Sequence, residues 1–311
     1  MNRVQFDHYG GAATMRMADC EAPQPAPGQV RVRVRVRAAA INPLDWKQRQ
    51  GAMKLFMGRE FPKGMGSDFA GVVEAVGEGV REFQVGDEVF GTMDFKKPGA
   101  FAEVLVTDSR HVAKKPPQLS FAEAACLPIS AATAWAAILD KAQVSKGARV
   151  LINGCTGAVG SMAVQLAVAN GAQVAGTCSR ASMDAAKAAG VYPVFDYAVE
   201  GWWHGVEPFD AIFDTAGTLD LRRGMSMLKP KGLFIDINPT PRRIVHGLLS
   251  RRYKIAFATM GFKHLAAIAE LAAQGTLKPA IGLEKPFSEA VATIAAVEGG
   301  LRVSGRVVLT F

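Results

Sequence analysis

Arg149-Val150-Leu151-Ile152-Asn153-Gly154-Cys155-Thr156-Gly157-Ala158-Val159-Gly160 decides the fold of this 311-residue chain. Residues 150–152 are a short, unbroken apolar run, as a strand buried on both faces requires. The glycines after it allow a sharp turn into a helix read over residues 161–170. Beyond Gly171, Gln173-Val174-Ala175-Gly176-Thr177 supplies a second strand and completes one βαβ unit. In such a unit a Gly-rich loop brings backbone N–H groups at the helix N-terminus up to a pyrophosphate, so the stretch predicts a dinucleotide site.

Ser179-Arg180-Ala181-Ser182 follows the second strand, where NAD-selecting sites place an acid on the ribose 2′-hydroxyl. An acid repels a 2′-phosphate, whereas Arg180 and two hydroxyls attract one, and the residues point to NADPH. Ser182 is also placed to cap a helix over residues 183–189, with Asp184 in its first turn and Gly190 ending it.

Outward from this unit, strands near 149–153, 173–178, 192–196, 210–214, 232–238 and 254–259 alternate with helices, the last over 263–274. Before about residue 124 the punctuation is that of short β-strands separated by Gly, Pro and Asp. Val30, Val32, Val34 and Val36 alternate with Arg31, Arg33, Arg35 and Arg37, one apolar and one charged face of a strand. Residues 287–298 read as a helix capped by Ser288. Residues 306–311 read as a last strand with no local partner, expected to return to the N-terminal β region. The expected architecture is α/β: a β domain over 1–123, completed by 276–311, and a doubly wound parallel sheet over 124–275.

Hydrophobic residues make up 49% and charged residues 21%, which excludes a disordered or fibrous chain. Cys20, Cys126, Cys155 and Cys178 lack the spacing of a disulfide framework or zinc knuckle, which fits a reducing compartment. The longest apolar candidate, Ala124 to Leu139, is interrupted by Pro128 and reads as buried helix, and the N-terminus shows no apolar signal region. A cytoplasmic protein with no membrane partner is expected. The net charge is +8, with a basic group at Arg242, Arg243, Arg251, Arg252 and Lys254. Without an aromatic platform or a known module, nucleic-acid binding is not expected from it.

Further segments add to the Gly154–Gly160 loop: residues 39–45 (AAINPLD), 66–73 (GSDFAGVV), 85–89 (VGDEV), Thr133-Ala134, Phe195-Asp196-Tyr197, 213–217 (FDTAG) and 305–309 (GRVVL). In this order they resemble the medium-chain dehydrogenase/reductases, within them the zinc-free quinone oxidoreductase and enone reductase branch related to zeta-crystallin. The resemblance implies a GroES-like β-barrel domain and a Rossmann NADP-binding domain. Zinc-dependent relatives carry a cysteine within the segment matched by Ile41-Asn42-Pro43, a His-Glu pair at Ser67-Asp68 and a third ligand near Ile129. Their four-cysteine lobe has no counterpart in residues 92–98. No metal is therefore expected. Without a Lewis acid, simple alcohol–ketone exchange lacks its electrophile, and the acceptor must be activated already, as quinones, enones and enals are.

The resemblance places Asn42, Trp46 and Lys47 around the substrate. A tyrosine often stands at the position of Lys47, so Lys47 is read either as positive charge near an enolate or as a solvated lysine. Asn42 is read as a residue tying down the turn before Pro43, with its backbone or its amide against the nicotinamide, and Trp46 as cleft wall or core. Thr133 is implied near the nicotinamide, with Thr156, Gly157, Ala158 and Val159 at the pyrophosphate. Ser179, Arg180 and Tyr197 are implied around the 2′-phosphate, with Thr215 and Ile237 at strand ends on the cofactor side. Cys155 is either a small buried residue or a redox-sensitive thiol. The strand read over 254–259 is expected to pair with its symmetry mate in a homodimer, unless a helix or loop covers the edge. Two other readings stay open. One is an enoyl-thioester reductase with the 242–254 basic group beside its cleft; the other is a non-catalytic NADPH-binding or RNA-binding protein.

Overall fold

The computed structural model describes residues 1–25 and 31–311, with Leu248 described by its backbone alone; Val30 of the Val/Arg alternation lies outside the described residues. Two compact units appear. One comprises Met1–Ile129, Leu265–Gln274 and Lys278–Phe311, and the other Ser130–His264 and Gly275–Leu277.

The first unit is built on the strand Arg31–Ala40, whose Val32, Val34 and Val36 are buried while Arg33 and Arg35 reach Glu74 on the other face. Antiparallel neighbours Asp68–Val76 and Val104–Asp108 flank it. Beyond Asp68–Val76 lie Glu88–Thr92 and then Val112–Lys114. The strand Arg306–Thr310 does return to this sheet, pairing with residues 38–40. It also has a local partner that the pattern did not reveal, Ile281–Pro286, parallel to it. The helix read over 287–298 begins instead as a 3-10 turn, Phe287–Glu289, and becomes α-helix at Ala290–Glu298, so Ser288 is not its cap. The helix Leu265–Ala273 packs on the strand Val112–Lys114 and groups with this unit, unlike the sequence boundary at 275.

The second unit carries a six-stranded parallel sheet. Its spatial order is Val194–Asp196, Gln173–Cys178, Arg149–Asn153, Phe209–Asp214, Leu228–Asp236, Tyr253–Ile255, so the first three strands run outward one way and the next three the other. The order reverses between Arg149–Asn153 and Phe209–Asp214, and in open sheets of this type ligands bind at the carboxyl ends of the strands at that reversal. The last strand is shorter than the 254–259 run suggested: after Ile255 the chain leaves the sheet, and Phe257 starts the helix Ala258–Gly261. A tertiary contact explains it. A Cβ on Gly261 would sit 2.1 Å from the Ala132 carbonyl oxygen, so the helix backbone is packed directly on the helix Pro128–Trp135.

Candidate active site

In the second unit the strand ends bring most of the expected cofactor residues to one edge. Asn153 aligns with Asp214, Asp214 with Asp236, and Cys178 with Asp196. The segments immediately beyond these residues hold Thr156 to Val159, Ser179 and Arg180, Tyr197, Thr215 and Ile237. Gly154 turns the chain with φ +80°, a left-handed conformation that glycine adopts without steric cost. The helix Ala158–Ala169 then starts from Gly157. A Cβ on Gly160 would stand 2.0 Å from the Gly154 carbonyl oxygen, so only glycine lets helix and loop close together. Thr156 and Gly157 are exposed, and the first-turn amides of Ala158 and Val159 have no partner within the helix. Amides left open at a helix N-terminus, with the helix dipole behind them, are groups that can hold an anion.

Arg180 is exposed at the start of the 3-10 turn Arg180–Ser182 and makes no ion pair among the described residues. Ser182 does not cap the helix Met183–Ala188 through its side chain; its hydroxyl lies 3.1 Å from that of Ser179, and the two hydroxyls satisfy one another instead. Tyr197 is 56% exposed, beyond the strand that pairs with Gln173–Cys178. The Thr215 hydroxyl is directed into the loop, donating to the Asn153 carbonyl at 2.7 Å. Thr133 belongs to a different element, the helix Pro128–Trp135, and is buried. Cys155 is buried, and burial pushes its thiol up to about 12.

Beneath this edge lies a buried polar network that the sequence reading missed. Asn153 Nδ2 donates to Asp214 Oδ1 at 2.7 Å and to Thr218 Oγ1 at 3.1 Å, while its Oδ1 accepts from the Thr177 hydroxyl. Asp214 Oδ1 also accepts the Gly217 amide. Arg243 Nη1 donates to Asp214 Oδ2 at 3.2 Å and to Asp236 Oδ2 at 2.7 Å, and its Nη2 donates to the Leu219 carbonyl. The Tyr253 hydroxyl donates to Asp236 Oδ2 at 2.9 Å. Burial raises the Asp214 carboxyl above its ordinary value, against the lowering effect of Asn153 and Arg243. Arg243 is thus an internal cation, not part of an exposed basic surface, and Arg252 likewise donates to the Gly232 and Lys229 carbonyls. One sequence signal pointed here: Asn153, Asp214 and Asp236 each follow a run of three apolar residues at the end of a strand.

In the first unit, Asn42, Ser67, Asp68 and Ile129 come together. Asn42 Nδ2 donates to Asp68 Oδ2 at 3.1 Å and to the Ala40 carbonyl at 3.2 Å, while Arg306 Nη2 donates to Asn42 Oδ1 at 2.8 Å. The amide is fully committed within the protein, which makes Asn42 an organiser of its turn. Asp45 closes the turn by accepting the Asn42 backbone N–H and the Ser67 hydroxyl, each at 2.7 Å. The Ile129 amide reaches Asp68 Oδ1 at 3.2 Å, and Arg306 Nη2 stands 3.9 Å from Asp68 Oδ2. Burial pushes Asp68 up to about 7 and Asp45 up to about 6. The Asn42 amide and the Asp68 carboxylate here face the Arg306 guanidinium, and among the described residues no cluster of three or more His, Cys, Asp or Glu is placed to hold a metal. Trp46 is half-buried and packs against this unit's core, and Lys47 is exposed on the helix Pro43–Arg49.

The family model of the alcohol dehydrogenase GroES-like domain matches residues 27–117, and that of the zinc-binding dehydrogenase matches residues 189–309. A chloroplastic quinone-oxidoreductase, QR1 of Triphysaria versicolor, is 31% identical over 307 residues, covering 93% of this chain and 92% of that one. The 2-methylene-furan-3-one reductase of Solanum lycopersicum is 32% identical over 286 residues, covering 88% and 69%. Among solved structures, the quinone oxidoreductase from Coxiella burnetii superposes with a TM-score of 0.89 at 30% identity, covering 100% of this chain and 99% of that one.

Proposed function

Because the chain belongs to the medium-chain dehydrogenase/reductase superfamily, in its quinone oxidoreductase and enone reductase branch, we propose that it is an NADPH-dependent, zinc-independent reductase of quinones or α,β-unsaturated carbonyls. The observation that carries the reading is the strand-end edge of the parallel sheet, where an open helix N-terminus and the exposed Arg180 flank one switch point. Thr156, Gly157, Ala158 and Val159 would hold the pyrophosphate, and Arg180, Ser179 and Tyr197 the 2′-phosphate. When bound, the nicotinamide supplies a hydride, and the acceptor must be one whose charge flows to an oxygen. The chain's part is to bind, orient and keep the acceptor dry. Thr133, Thr215, Ile237, Trp46 and Lys47 are the further residues assigned to it, with Asn42 acting through its turn.

Zinc independence draws support from Arg306, whose guanidinium already stands against Asp68 and Asn42 among the residues matched to ligand positions. The enoyl-thioester reading draws less support, because it needs the 242–254 basic group at a cleft, and Arg243 and Arg252 are spent on internal partners.

The test is a substrate panel read by NADPH absorbance: quinones and alkenals should be reduced, with turnover persisting in a chelator, while secondary alcohols and acyl thioesters remain poor. Arg180→Ala should weaken NADPH about 10- to 100-fold, corresponding to one lost charge-assisted pair, and leave NADH nearly unchanged. Equal losses for both cofactors, or binding with no turnover on the panel, would sink the reading.

We also propose a homodimer joined along Tyr253–Ile255, the edge strand of the parallel sheet, with the exposed Ile244, Val245 and Phe257 around it. Light scattering should give about twice 33.1 kDa, and Ile244→Lys with Val245→Lys should halve it. A native mass of 33.1 kDa rejects the interface.

A further inference from the structure

The helical turn Lys54–Met57 of the first unit buries Met57 but leaves its other two apolar side chains in water: Leu55 is 89% exposed and Phe56 66%. Adjacent large apolar side chains held in water mark a contact surface. Phe56 meets Phe95 edge-on at 6.4 Å, which extends the apolar tip onto the neighbouring loop. Lysines frame it. Lys54, Lys96 and Lys97 are exposed, and Lys63, half-buried, donates from Nζ to the Met57 carbonyl at 2.8 Å. Lys63, Lys96 and Lys97 line a pocket of about 410 Å³ beside the tip, together with Glu60 and Phe61. Five basic side chains, Arg59 included, stand against two acids, Glu60 and Asp94.

We propose that this face docks on an anionic lipid bilayer, with Leu55 and Phe56 entering the acyl boundary and the lysines meeting lipid phosphates. The arrangement matches what interfacial docking needs: a short apolar wedge, cations at its rim, and aliphatic lysine stems that lie along apolar surface while their heads stay wet. Charge selects the partner. A second copy of this chain would oppose the same face with like charge, whereas an anionic leaflet attracts each lysine near its surface. Among the described residues no helix is long and apolar enough to cross a membrane, so the contact is peripheral.

The experiment is co-sedimentation of the full chain with vesicles of phosphatidylcholine alone and with phosphatidylglycerol added. Binding should require the anionic lipid and weaken at high salt. Lys96→Glu with Lys97→Glu should cut partitioning about tenfold or more, as should Leu55→Ser with Phe56→Ser, with the thermal melts of both variants unchanged. Glycerol phosphate in solution should not compete. Equal binding to both vesicle types, or no loss in either variant, overturns the proposal. So does a change of native mass in Leu55→Ser/Phe56→Ser with vesicle binding intact, which would make the patch a contact between protein chains.

Discussion

Arg243→Met should cost about 3–5 kcal/mol of unfolding free energy, the loss expected when one partner is removed from a buried charge network. Asp214 and Asp236 have fully buried side chains, and the guanidinium that faces them is 13% exposed. Methionine fills much of the volume of the arginine stem but removes the guanidinium that stands 6.0 Å over the Phe234 ring and supplies no donor, leaving two carboxylates in a site that cannot hydrate them. Asp236 retains Tyr253 and the Asn238 amide, so the damage should concentrate on Asp214, which also holds Asn153 and the Gly217 amide. Those bonds set the floor on which Gly154 and Thr215 are placed. Cofactor affinity should therefore fall along with stability. Urea unfolding of Arg243→Met, Asp236→Asn and the double variant would measure the coupling, and the double variant should lose less than the sum of the two. A loss below about 0.5 kcal/mol, the level of an exposed ion pair, would mean that the network is solvated.

Arg243 also shows where sequence reading stops. In the chain it is one of five basic residues in a thirteen-residue stretch and looks like surface charge; only the parallel sheet, by ending two strands in buried aspartates beneath the helix Pro241–Leu249, turns it into an internal cation. Local patterns were legible where local physics decides. The Gly154–Gly160 loop, the strands Arg149–Asn153 and Gln173–Cys178 and the Val/Arg alternation of Arg31–Ala40 are fixed by periodicity and by the steric needs of a turn. The run 254–259 shows the reverse. Its apolar character suited a strand, but contact of Gly261 with Ala132 pulls it into a helix, and no local signal carries that contact. The cluster around Asn42 was half legible: the resemblance named Asn42, Ser67, Asp68 and Ile129, while Arg306 comes from a strand more than 170 residues beyond the last of these.

Arg306→Met should be about 3–5 kcal/mol less stable than the parent chain at pH 8 and about half as affected at pH 5.5. Asp68 and Asp45 are driven upward by burial, and the Arg306 charge opposes that rise at both. An aspartate whose folded value lies above its unfolded one holds its proton more tightly in the folded state. The stability gained by holding that proton is complete below about pH 4 and is lost as pH rises through 6 for Asp45 and 7 for Asp68. The parent chain should therefore lose stability from this pair between pH 4 and 7. Without Arg306 both carboxyls titrate higher still, so the fall deepens and extends above pH 7. Below pH 6 Asp68 is mostly protonated with or without its arginine, and the main loss left is the hydrogen bond to Asn42 Oδ1. Urea titrations of both proteins at the two pH values measure the difference. A destabilisation that is the same at pH 5.5 and pH 8 would show that Arg306 acts through packing and its bond to Asn42, and that its charge sets neither Asp68, at a position matched to a ligand of zinc-dependent relatives, nor the neighbouring Asp45.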